Sequence, residues 1–535
     1  MYLIINSAIF SLLFTVSPPD LQLSITHFIY NFLFFYSLFS IISFTGGKYL
    51  NRVFIIIFSL IFIGTQIKFK FQRDYTYFWD INLLKDAVKV FNNFKGDIVD
   101  IKMLFFILIL VIVLILADKI KLYYSNRPIL IGVSAILIFN LIPNNKSYSL
   151  EETFSKKGKV LGFIKSYSLV KESYAEGTQS IEDKDKFKLP DILEKQPIID
   201  KDNLDVVVIQ SETFYDIMRL EEHGIDVKGD VTKNFRQYQK EGIYGKTYVP
   251  VLGGMTCNSE FELLTGMSAR LFQKGSIIYT GYLKNQTDSL AWRLKENGYK
   301  TVAIHDYERD FWERDRVYPL LGFDEFISME SFINPKKYDH WIADSEIFNK
   351  TLEELDKEDG KNKFIFTVTV QNHAPFSYKA SKDVVNVKGF PKEDTKSMTN
   401  YVSGLNISDI ALKDFMEKVR KRNKPTIVVF YGDHQPSADH KYFNTMDFFK
   451  EEKNKYETDY FIWYNKGTQI QNQNIDTSLI GIGNKVKELL GVTNSYDRYV
   501  LKEYSETNRD NYFNITYGRN NIYHFNSFST FNKKQ

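Results

Sequence analysis

The N-terminal part of the chain alternates between long apolar runs and short polar loops. The apolar runs cover about residues 2–16, 26–44, 53–67, 103–117 and 128–143. Most are slightly shorter than the ~20 residues that cross a bilayer, but flanking aromatic side chains extend them into the interface. As buried helices of a soluble domain, they would leave that domain almost no polar surface. The pattern therefore predicts a five-helix transmembrane region over residues 1–145.

The charges of the polar loops predict the orientation of these spans. Lysine and arginine occur in loops 45–52 and 118–127, whereas loop 17–25 has neither. Basic loops remain on the cytoplasmic side, so an odd number of spans places the following domain outside the cell. The several lysines of loop 68–102 oppose this assignment. We predict a multi-pass protein of the cell membrane whose C-terminal domain is extracellular.

Residues 146–202 have the composition of a juxtamembrane connector. The stretch 176–190 is polar and charged and lacks an apolar period, which is typical of a surface linker. The sequence Ser173-Tyr174-Ala175 loosely resembles a signal peptidase site, and cleavage there would release the following domain. N-terminal sequencing of secreted protein would decide between an intact and a cleaved connector.

From residue 203 onward, short β-rich runs alternate with helical stretches. The predicted strands are 205–210, 301–305, 363–370, 426–431 and 459–464. The predicted helices are about 231–241, 257–265, 288–297, 400–420 and 477–490. This alternation predicts an α/β domain over residues 203–500 with a largely parallel sheet, whose functional sites gather at the carboxyl ends of the strands. The tail 501–535 predicts no element.

The net charge and the cysteine count exclude some classes of protein. A formal net charge of +3 over 535 residues and the absence of a basic run give no argument for a nucleic-acid partner. The single cysteine, Cys257, excludes an internal disulfide and a CxxC zinc site.

Four polar clusters follow predicted strands or begin predicted helices. They contain Glu212, the segment 253–266, His373, and the pair Asp433 and His434. Taken singly, each has an ordinary structural interpretation as a cap, a turn or a hydrogen-bonded histidine. Together they fall where one edge of a sheet would collect carboxylates, imidazoles and a hydroxyl.

Metal-assisted phosphoryl transfer needs this set of groups. Glu212, Asp433 and His434 offer oxygen and imidazole ligands that suit Mn²⁺, Zn²⁺ or Mg²⁺. Thr256 follows two glycines and opens a helix, whose free N–H groups favour a phosphate. A bound metal would lower the pKa of such a hydroxyl. Cys257 is a rival nucleophile, but no base adjoins it in sequence, and we predict that it packs inward.

The segment 305–326 offers groups for a phosphorylated polyol. Trp312 and Arg314 follow a predicted strand by several residues. An arginine suits a phosphate oxygen, and an indole can flank a small polyol. A surface loop with an aromatic plug explains the same residues equally well.

The five spans, the connector and the motifs GGMTCNSEFELLTG, FWERD, QNHAPF and YGDHQP together resemble the lipoteichoic acid synthase family. That family lies in the sulfatase-like branch of the alkaline phosphatase superfamily. The resemblance extends over essentially the whole chain, as far as TSLIGIGNKVKELLG. It implies an alkaline phosphatase/sulfatase-like fold for the α/β domain.

The resemblance also implies an activity and roles for individual residues. Members of the family transfer glycerol phosphate from phosphatidylglycerol to a glycolipid or a growing polyglycerol phosphate chain. Thr256 would be the nucleophile and form a phospho-threonine. A divalent metal, typically Mn²⁺ with Mg²⁺ or Zn²⁺ as alternatives, would be bound by Glu212, Thr256, Asp433 and His434. The glycerol phosphate would be bound by Trp312, Arg314 and His373, and His305 also matches a family active-site position.

Several alternatives can be weighed against this interpretation. A sulfatase needs a C/S-x-P-x-R motif, whereas Cys257 is followed by Asn-Ser-Glu. Lipid phosphoethanolamine transferases carry several disulfides, which one cysteine cannot form. A lipid headgroup hydrolase stays open, and a non-enzymatic membrane scaffold should have lost the ligands that this chain keeps. The segment GGMTCNSEF is closer to the wider set of glycerol phosphate transferases than to the polymerising enzymes, so polymerase and primase both stay open.

Overall fold

The structure is a computed structural model that divides the chain into two compact units, Met1–Gln179 and Ser180–Gln535. It describes residues 2–16, 24–45, 47–72, 75–89, 107–109, 111, 150–167, 198–273, 275–374, 376, 385–436, 442–467, 469–494 and 497–498. The predicted linker 176–190, the residues 173–175 and the tail 501–535 lie outside this description.

The first unit is built from apolar helices that pack through phenylalanine rings. Its described helices include α1 (Tyr2–Val16), α2 (Ile25–Thr45), α3 (Gly47–Gln72) and α4 (Leu150–Lys157). The ring of Phe35 lies 5.2 Å from both Phe10 and Phe58, which joins α1, α2 and α3. The first three predicted spans therefore coincide with helices.

The five-span prediction is not confirmed. Among the described residues, one stretch, Arg52–Phe69, is long and apolar enough to cross a membrane, judged by length and composition. The apolar parts of the other two helices, Ile4–Thr15 and Ile25–Ile41, are shorter. The predicted run 128–143 and most of the run 103–117 lie outside the described residues.

The second unit is organised around one large sheet. Within the described residues it has nine strands, in the order β12-β3-β11-β10-β1-β8-β4-β5, with β13 also paired to β3. Two short ladders, β2–β9 and β6–β7, stand apart from it. The strands are β1 (Asp205–Ser211), β2 (Asp226–Val227), β3 (Ile243–Tyr248), β4 (Lys300–His305), β5 (Glu325–Ile327), β6 (Lys337–Tyr338), β7 (Trp341–Ile342), β8 (Lys363–Val368), β9 (Val387–Lys388), β10 (Thr426–Gly432), β11 (Glu457–Tyr464), β12 (Gln473–Asn474) and β13 (Thr477–Ser478).

The helices of this unit connect the strands and cover the sheet. They are α5 (Lys233–Gln239), α6 (Thr256–Thr265), α7 (Ile278–Gly281), α8 (Leu290–Glu296), α9 (Arg314–Leu320), α10 (Asp344–Leu355), α11 (Lys392–Lys421), α12 (Tyr442–Thr445) and α13 (Leu479–Leu490). Short 3₁₀ turns occur at Phe78–Leu83 in the first unit and, in the second, at Lys201–Asn203, Ile217–His223, Ala269–Leu271, Phe311–Glu313, Met329–Ser331, Asp447–Lys450 and Glu452–Tyr456.

The central strands form because their sequences are continuous apolar runs that a two-sided core can bury. All seven residues of β1 are buried, as are all seven of β10. Strand β1 lies between β10 and β8 and runs parallel to both, with Val208 opposite Val429 and Phe366. Strand β4 continues the parallel arrangement beside β8. The carboxyl ends of β10, β1, β8 and β4 therefore meet at one edge, as predicted.

The other side of the sheet differs from the predicted parallel arrangement. Strand β11 runs antiparallel to β10 and to β3. In its described residues, 433–436 and 442–456, the connection from β10 to β11 holds short helical turns, whereas parallel strands are usually linked by a longer helix. Strand β3 was not predicted because its sequence IYGKTY interrupts the apolar pattern with glycine and lysine.

Candidate metal and hydroxyl site

The three predicted metal ligands meet at the carboxyl edge of the sheet. Glu212 directly follows β1, and Asp433 and His434 directly follow the adjacent parallel strand β10. One ligand atom from each residue lies within 4.8 Å of the other two, and all three side chains are buried. The structure therefore brings together residues that are more than 200 positions apart in sequence.

The unsatisfied atoms of this cluster fit a divalent cation. Asp433 accepts a hydrogen bond from the Thr213 N–H at Oδ1 (2.7 Å), but its Oδ2 has no hydrogen-bond partner in the described structure. His434 Nδ1 lies 2.9 Å from the Gln435 carbonyl, so Nδ1 carries the proton and Nε2 is free to bind a metal. That buried Nε2 also lacks a hydrogen-bond partner among the described residues, and it lies 3.4 Å from Asp433 Oδ2 and 3.6 Å from Glu212 Oε1. Unpaired buried polar atoms cost about 1–3 kcal/mol each, a cost that a shared cation removes.

Thr256 lies at the edge of the same cluster. Its hydroxyl donates to Glu212 Oε2 at 3.3 Å, and it is the first residue of α6. The chain enters this helix through three successive residues with positive φ: Gly253, Gly254 and Met255. The two glycines allow this sharp entry, and Met255 adopts the left-handed conformation at some energetic cost. Cys257 is fully buried, as predicted.

Burial governs the protonation of the carboxylates. Burial, with the charge of Asp433, raises the pKa of Glu212 to about 8, against the opposing effect of His434. Burial also raises the pKa of Asp433, again opposed by His434. A divalent cation stabilises the charged forms, so metal binding should release protons from this cluster.

We expect the stability of the metal-free protein to depend on pH through Glu212. The pKa in the folded state, about 8, exceeds the ordinary value of 4.5. The contribution to stability is therefore complete below pH 4.5 and is lost as the pH rises through about 8, on the order of a few kcal/mol. Glu212→Gln should make the fall in stability between pH 5 and 8 shallower, and other buried carboxyls with a raised pKa, such as Glu262 and Asp459, account for the remainder. Denaturant unfolding of EDTA-treated wild type and variant between pH 5 and 8 measures the difference, and equal slopes would contradict the assignment.

Gly432 fixes the backbone just before Asp433. A Cβ at this position would overlap the carbonyl oxygen of Phe214, which belongs to the backbone and cannot rotate away. We expect Gly432→Ala to lower the free energy of unfolding by about 2–3 kcal/mol and to weaken metal binding. Gly281→Ala is the matched control, because nothing lies within 4 Å of its added Cβ. Equal stability of the two variants would argue against this close approach.

A second buried network connects Thr256 to the predicted substrate segment. Glu260 lies one turn after Thr256 on α6, and its carboxylate contacts Arg314 Nη2 at 2.5 Å and Nε at 3.2 Å. The hydroxyls of Tyr279 and Tyr318 also donate to Glu260, at 3.1 and 2.9 Å. The guanidinium of Arg314 is 1% exposed, and two of its three nitrogens face Glu260.

Arg314 also packs against the predicted tryptophan. Its guanidinium lies 5.0 Å from the centre of the Trp312 ring, and Nη1 makes a 3.4 Å contact with the Phe311 carbonyl. Trp312 and Glu313 both have positive φ, 55° and 56°. Arg314 is therefore held by a carboxylate, and the loop before it is bent in a way that non-glycine residues rarely adopt.

The two predicted histidines lie on the neighbouring strand ends. His305 ends β4, and its Nδ1 lies 3.0 Å from the Val368 carbonyl. The ring of His373 lies 4.9 Å from Trp341, and its Nδ1 contacts the Ala374 carbonyl at 2.5 Å. Burial lowers the pKa of both histidines, so both rings are neutral with Nδ1 as the donor.

Sequence reasoning missed three residues that shape the site. Thr213 donates its backbone N–H to Asp433, and Thr369 accepts the backbone N–H of Glu212 at its hydroxyl (3.2 Å). The third is Glu260. Glu260 follows Thr256 by four residues and therefore lies on the same side of the helix, so this spacing could have identified it from the sequence. Thr369 lies inside the predicted strand 363–370, whereas the observed β8 ends at Val368, so the strand-end argument did not identify it.

The cluster at the ends of the parallel strands, beside the first residue of α6, lies within the part of the chain that a known family model matches. A family model described as Sulfatase matches residues 205–492, more than half of the chain, and the chain belongs to that family. Among the curated proteins that this chain resembles are ones named lipoteichoic acid synthase or lipoteichoic acid synthase-like.

Three comparisons illustrate this relationship. A putative cyclic β-1,2-glucan modification protein of Rhizobium meliloti is 34% identical over 243 residues, which is 45% of this chain and 37% of that protein. The lipoteichoic acid synthase of Staphylococcus saprophyticus is 25% identical over 219 residues, 39% of this chain and 33% of that protein. The chain thus matches well under half the length of these two curated relatives.

A solved structure has the same fold. The phosphoglycerol transferase GacH of Streptococcus pyogenes, solved with sn-glycerol-1-phosphate, aligns with a TM-score of 0.52 at 22% identity. The alignment covers 73% of this chain and 94% of the solved one.

Proposed function

We propose that this chain is a membrane-anchored, metal-dependent transferase that takes glycerol phosphate from phosphatidylglycerol and passes it to a glycolipid or polyglycerol phosphate chain. The observation that carries the proposal is the contact of the Thr256 hydroxyl with Glu212, within a buried cluster that also holds Asp433 and His434. The names of the relatives support this class of chemistry.

The proposed reaction has two transfers. In the first, Thr256 Oγ1 attacks the phosphorus, its proton passes first to Glu212 Oε2, and the bond from phosphorus to the diacylglycerol oxygen breaks. The departing diacylglycerol oxygen takes up the proton that Thr256 gave to Glu212, which leaves Glu212 ionised again. In the second transfer, an acceptor hydroxyl attacks the phospho-threonine and gives its proton to Glu212, and that proton passes to the Thr256 oxygen as it leaves. A covalent intermediate lets the donor lipid depart before the acceptor binds.

The proposed metal site consists of Glu212, Thr256, Asp433 and His434. A divalent cation bound there would lower the pKa of the Thr256 hydroxyl and offset negative charge on the phosphoryl oxygens. Mn²⁺ is our first choice, and the same ligands also suit Mg²⁺ or Zn²⁺.

The proposed substrate residues are Trp312, Arg314, His373 and His305. Arg314 contributes a permanent positive charge beside the helix that carries Thr256, held in place by Glu260. The neutral rings of His305 and His373 can accept hydrogen bonds from glycerol hydroxyls at Nε2. We further propose the division into a membrane region (1–145), a connector (146–202), an extracellular catalytic domain (203–500) and a tail (501–535).

A donor and acceptor panel tests the proposal. Full-length protein in detergent with Mn²⁺ would receive fluorescent phosphatidylglycerol or phosphatidylethanolamine, with and without a glycolipid acceptor. Diacylglycerol formed from phosphatidylglycerol, together with a glycerophosphorylated acceptor, supports the proposal. Preference for phosphatidylethanolamine would indicate a phosphoethanolamine transferase. Free glycerol phosphate as the sole product would indicate a headgroup hydrolase, and no reaction with metal bound would favour a non-enzymatic scaffold.

A soluble glucan is a second candidate acceptor. The relative of 34% identity is named for modification of a cyclic β-1,2-glucan. Adding such a glucan to the panel distinguishes the two acceptor classes, because the product is then water-soluble rather than lipid-linked.

A further inference from the structure

A second pair of buried carboxylates lies two strands away from Glu212. Asp306 directly follows β4 and is 2% exposed. Neither of its carboxylate oxygens has a hydrogen-bond partner within the described part of the chain, and the same holds for Oδ1 of the fully buried Asp344. Unpaired carboxylate oxygens in an interior are costly, since each would otherwise be bonded to water.

The strand register and one hydrogen bond place these two residues at the same strand end. His305 lies opposite Val368 in the parallel pair β4–β8, so Asp306 and Thr369 are the next residues along the two strands. Asp344 lies at the same strand end, because its backbone N–H donates to Gln371, three residues beyond β8. Burial raises the pKa of both carboxyls, to about 6 for Asp344, and the charges of Asp344 and Glu212 raise that of Asp306 further. Asp306 and Asp344 therefore both lie beside the end of β8.

Hydrogen bonds from neighbouring groups fix the carboxylate of Asp344 and leave one of its oxygens available to a cation. Its Oδ2 accepts from the Ser408 hydroxyl at 2.6 Å, and its backbone N–H donates to Gln371 Oε1 at 2.9 Å. Ser408 in turn accepts from Gln371 Nε2 at 2.9 Å. These bonds hold one oxygen of Asp344 and leave Oδ1 unpaired, which is the pattern of a carboxylate fixed by its surroundings for a cation.

We propose that Asp306 and Asp344 form a second site for a hard divalent cation, Mg²⁺ or Ca²⁺, separate from the Glu212 cluster. Asp306 lies outside the group of ligand atoms that Glu212, Asp433 and His434 form. The carboxylates of the proposed second site offer only oxygen ligands, which Mg²⁺ and Ca²⁺ prefer over nitrogen or sulfur. A cation there offsets two buried charges that otherwise repel each other.

The second site would also position Glu212. The Thr369 hydroxyl accepts the backbone N–H of Glu212 at 3.2 Å while lying beside Asp344. An ion bound by Asp306 and Asp344 therefore stabilises the end of β8, where Thr369 holds the backbone of Glu212. This role does not require the proposed transferase activity.

Metal binding to the full-length protein in detergent tests the proposal. The stripped protein would receive one molar equivalent of Mn²⁺ and then a titration with Ca²⁺ or, separately, Mg²⁺. We expect wild type to bind one further ion by elemental analysis, with a rise in melting temperature of roughly 3 °C. Asp306→Asn and Asp344→Asn should each lose both responses, whereas His434→Ala should keep them.

Asp409→Asn is the matched control. Asp409 is also a buried aspartate, but its oxygens accept hydrogen bonds from the backbone of Asn234 and Phe235. This variant should keep the response to the second ion even if its stability falls. The proposal is overturned if wild type binds no further ion in either titration, or if binding survives both Asp306→Asn and Asp344→Asn. A stability gain in Asp306→Asn without ion binding would instead indicate a carboxyl pair that shares a proton.

Discussion

Replacing Thr256 by alanine is expected to reduce the release of diacylglycerol from phosphatidylglycerol by at least about 10³-fold. The substitution removes the hydroxyl that contacts Glu212 Oε2 at the start of α6. Glu212 keeps the bond from the Thr213 hydroxyl to its Oε1 at 2.7 Å, whereas its Oε2 loses the 3.3 Å bond from Thr256. Losing one long hydrogen bond costs about 1 kcal/mol of stability, so the larger loss should appear in the rate constant for chemistry.

Thr256→Ser is the control for this prediction. Serine keeps the hydroxyl on the same backbone, so the variant should retain activity within about tenfold of wild type. Melting curves of both variants should lie close to that of wild type. Activity of Thr256→Ala within tenfold of wild type would exclude Thr256 as the nucleophile, and mass spectrometry of trapped intermediate would then identify the residue that is phosphorylated.

Replacing Glu260 by glutamine is expected to lower the free energy of unfolding by roughly 3–5 kcal/mol. Glutamine keeps the shape of the side chain but leaves the buried guanidinium of Arg314 without its counter-charge. It also presents an amide N–H₂ where Tyr279 and Tyr318 now donate to a carboxylate oxygen. Denaturant unfolding would measure the change, and activity should fall as well because Arg314 is no longer held.

Glu313→Gln is the matched control for the loss of an ion pair. Glu313 pairs with Arg316 at 2.6 Å in the same segment, but both side chains are more than a third exposed. An exposed pair contributes up to about 1 kcal/mol, so this variant should be nearly neutral. If Glu260→Gln proved equally neutral, the buried network would not hold Arg314. The double variant Glu260→Gln/Arg314→Met should recover part of the stability.

The parallel half of the sheet could be predicted because its strands are apolar runs that both faces of a core can bury. Since Glu212, Asp433 and His434 each follow such a run, their positions in the sequence were enough to predict that they meet at one edge of the sheet. Helices α9 and α10 escaped prediction because the first begins with charged residues and the second is rich in acidic ones. Helix α11 begins at Lys392 rather than near residue 400, because its first turns are polar and carry no apolar period.

The tertiary pairs at the site could not be predicted from local pattern. Glu260 and Arg314 are 54 residues apart, and nothing in the intervening sequence indicates that they meet. The same is true of Asp306 and Asp344, which are joined by the register of β4 against β8. Such pairs depend on the three-dimensional crossing of elements, whereas periodicity reports only on each element by itself.

The two successive residues with left-handed backbone before Arg314, Trp312 and Glu313, lower the stability of the fold while they orient the indole of Trp312. A chain selected for stability alone would carry glycine or asparagine at positions 312 and 313, since those residues adopt positive φ at lower cost. Tryptophan and glutamate stand there instead, each with a backbone cost of order 1–2 kcal/mol. The buried ion pair of Arg314 with Glu260 offsets this backbone strain, and the contact of Arg314 with the Trp312 ring fixes the orientation of the indole. Laboratory selection for thermal tolerance would therefore be expected to replace Glu313 with glycine early, and to loosen the orientation of Trp312 in doing so.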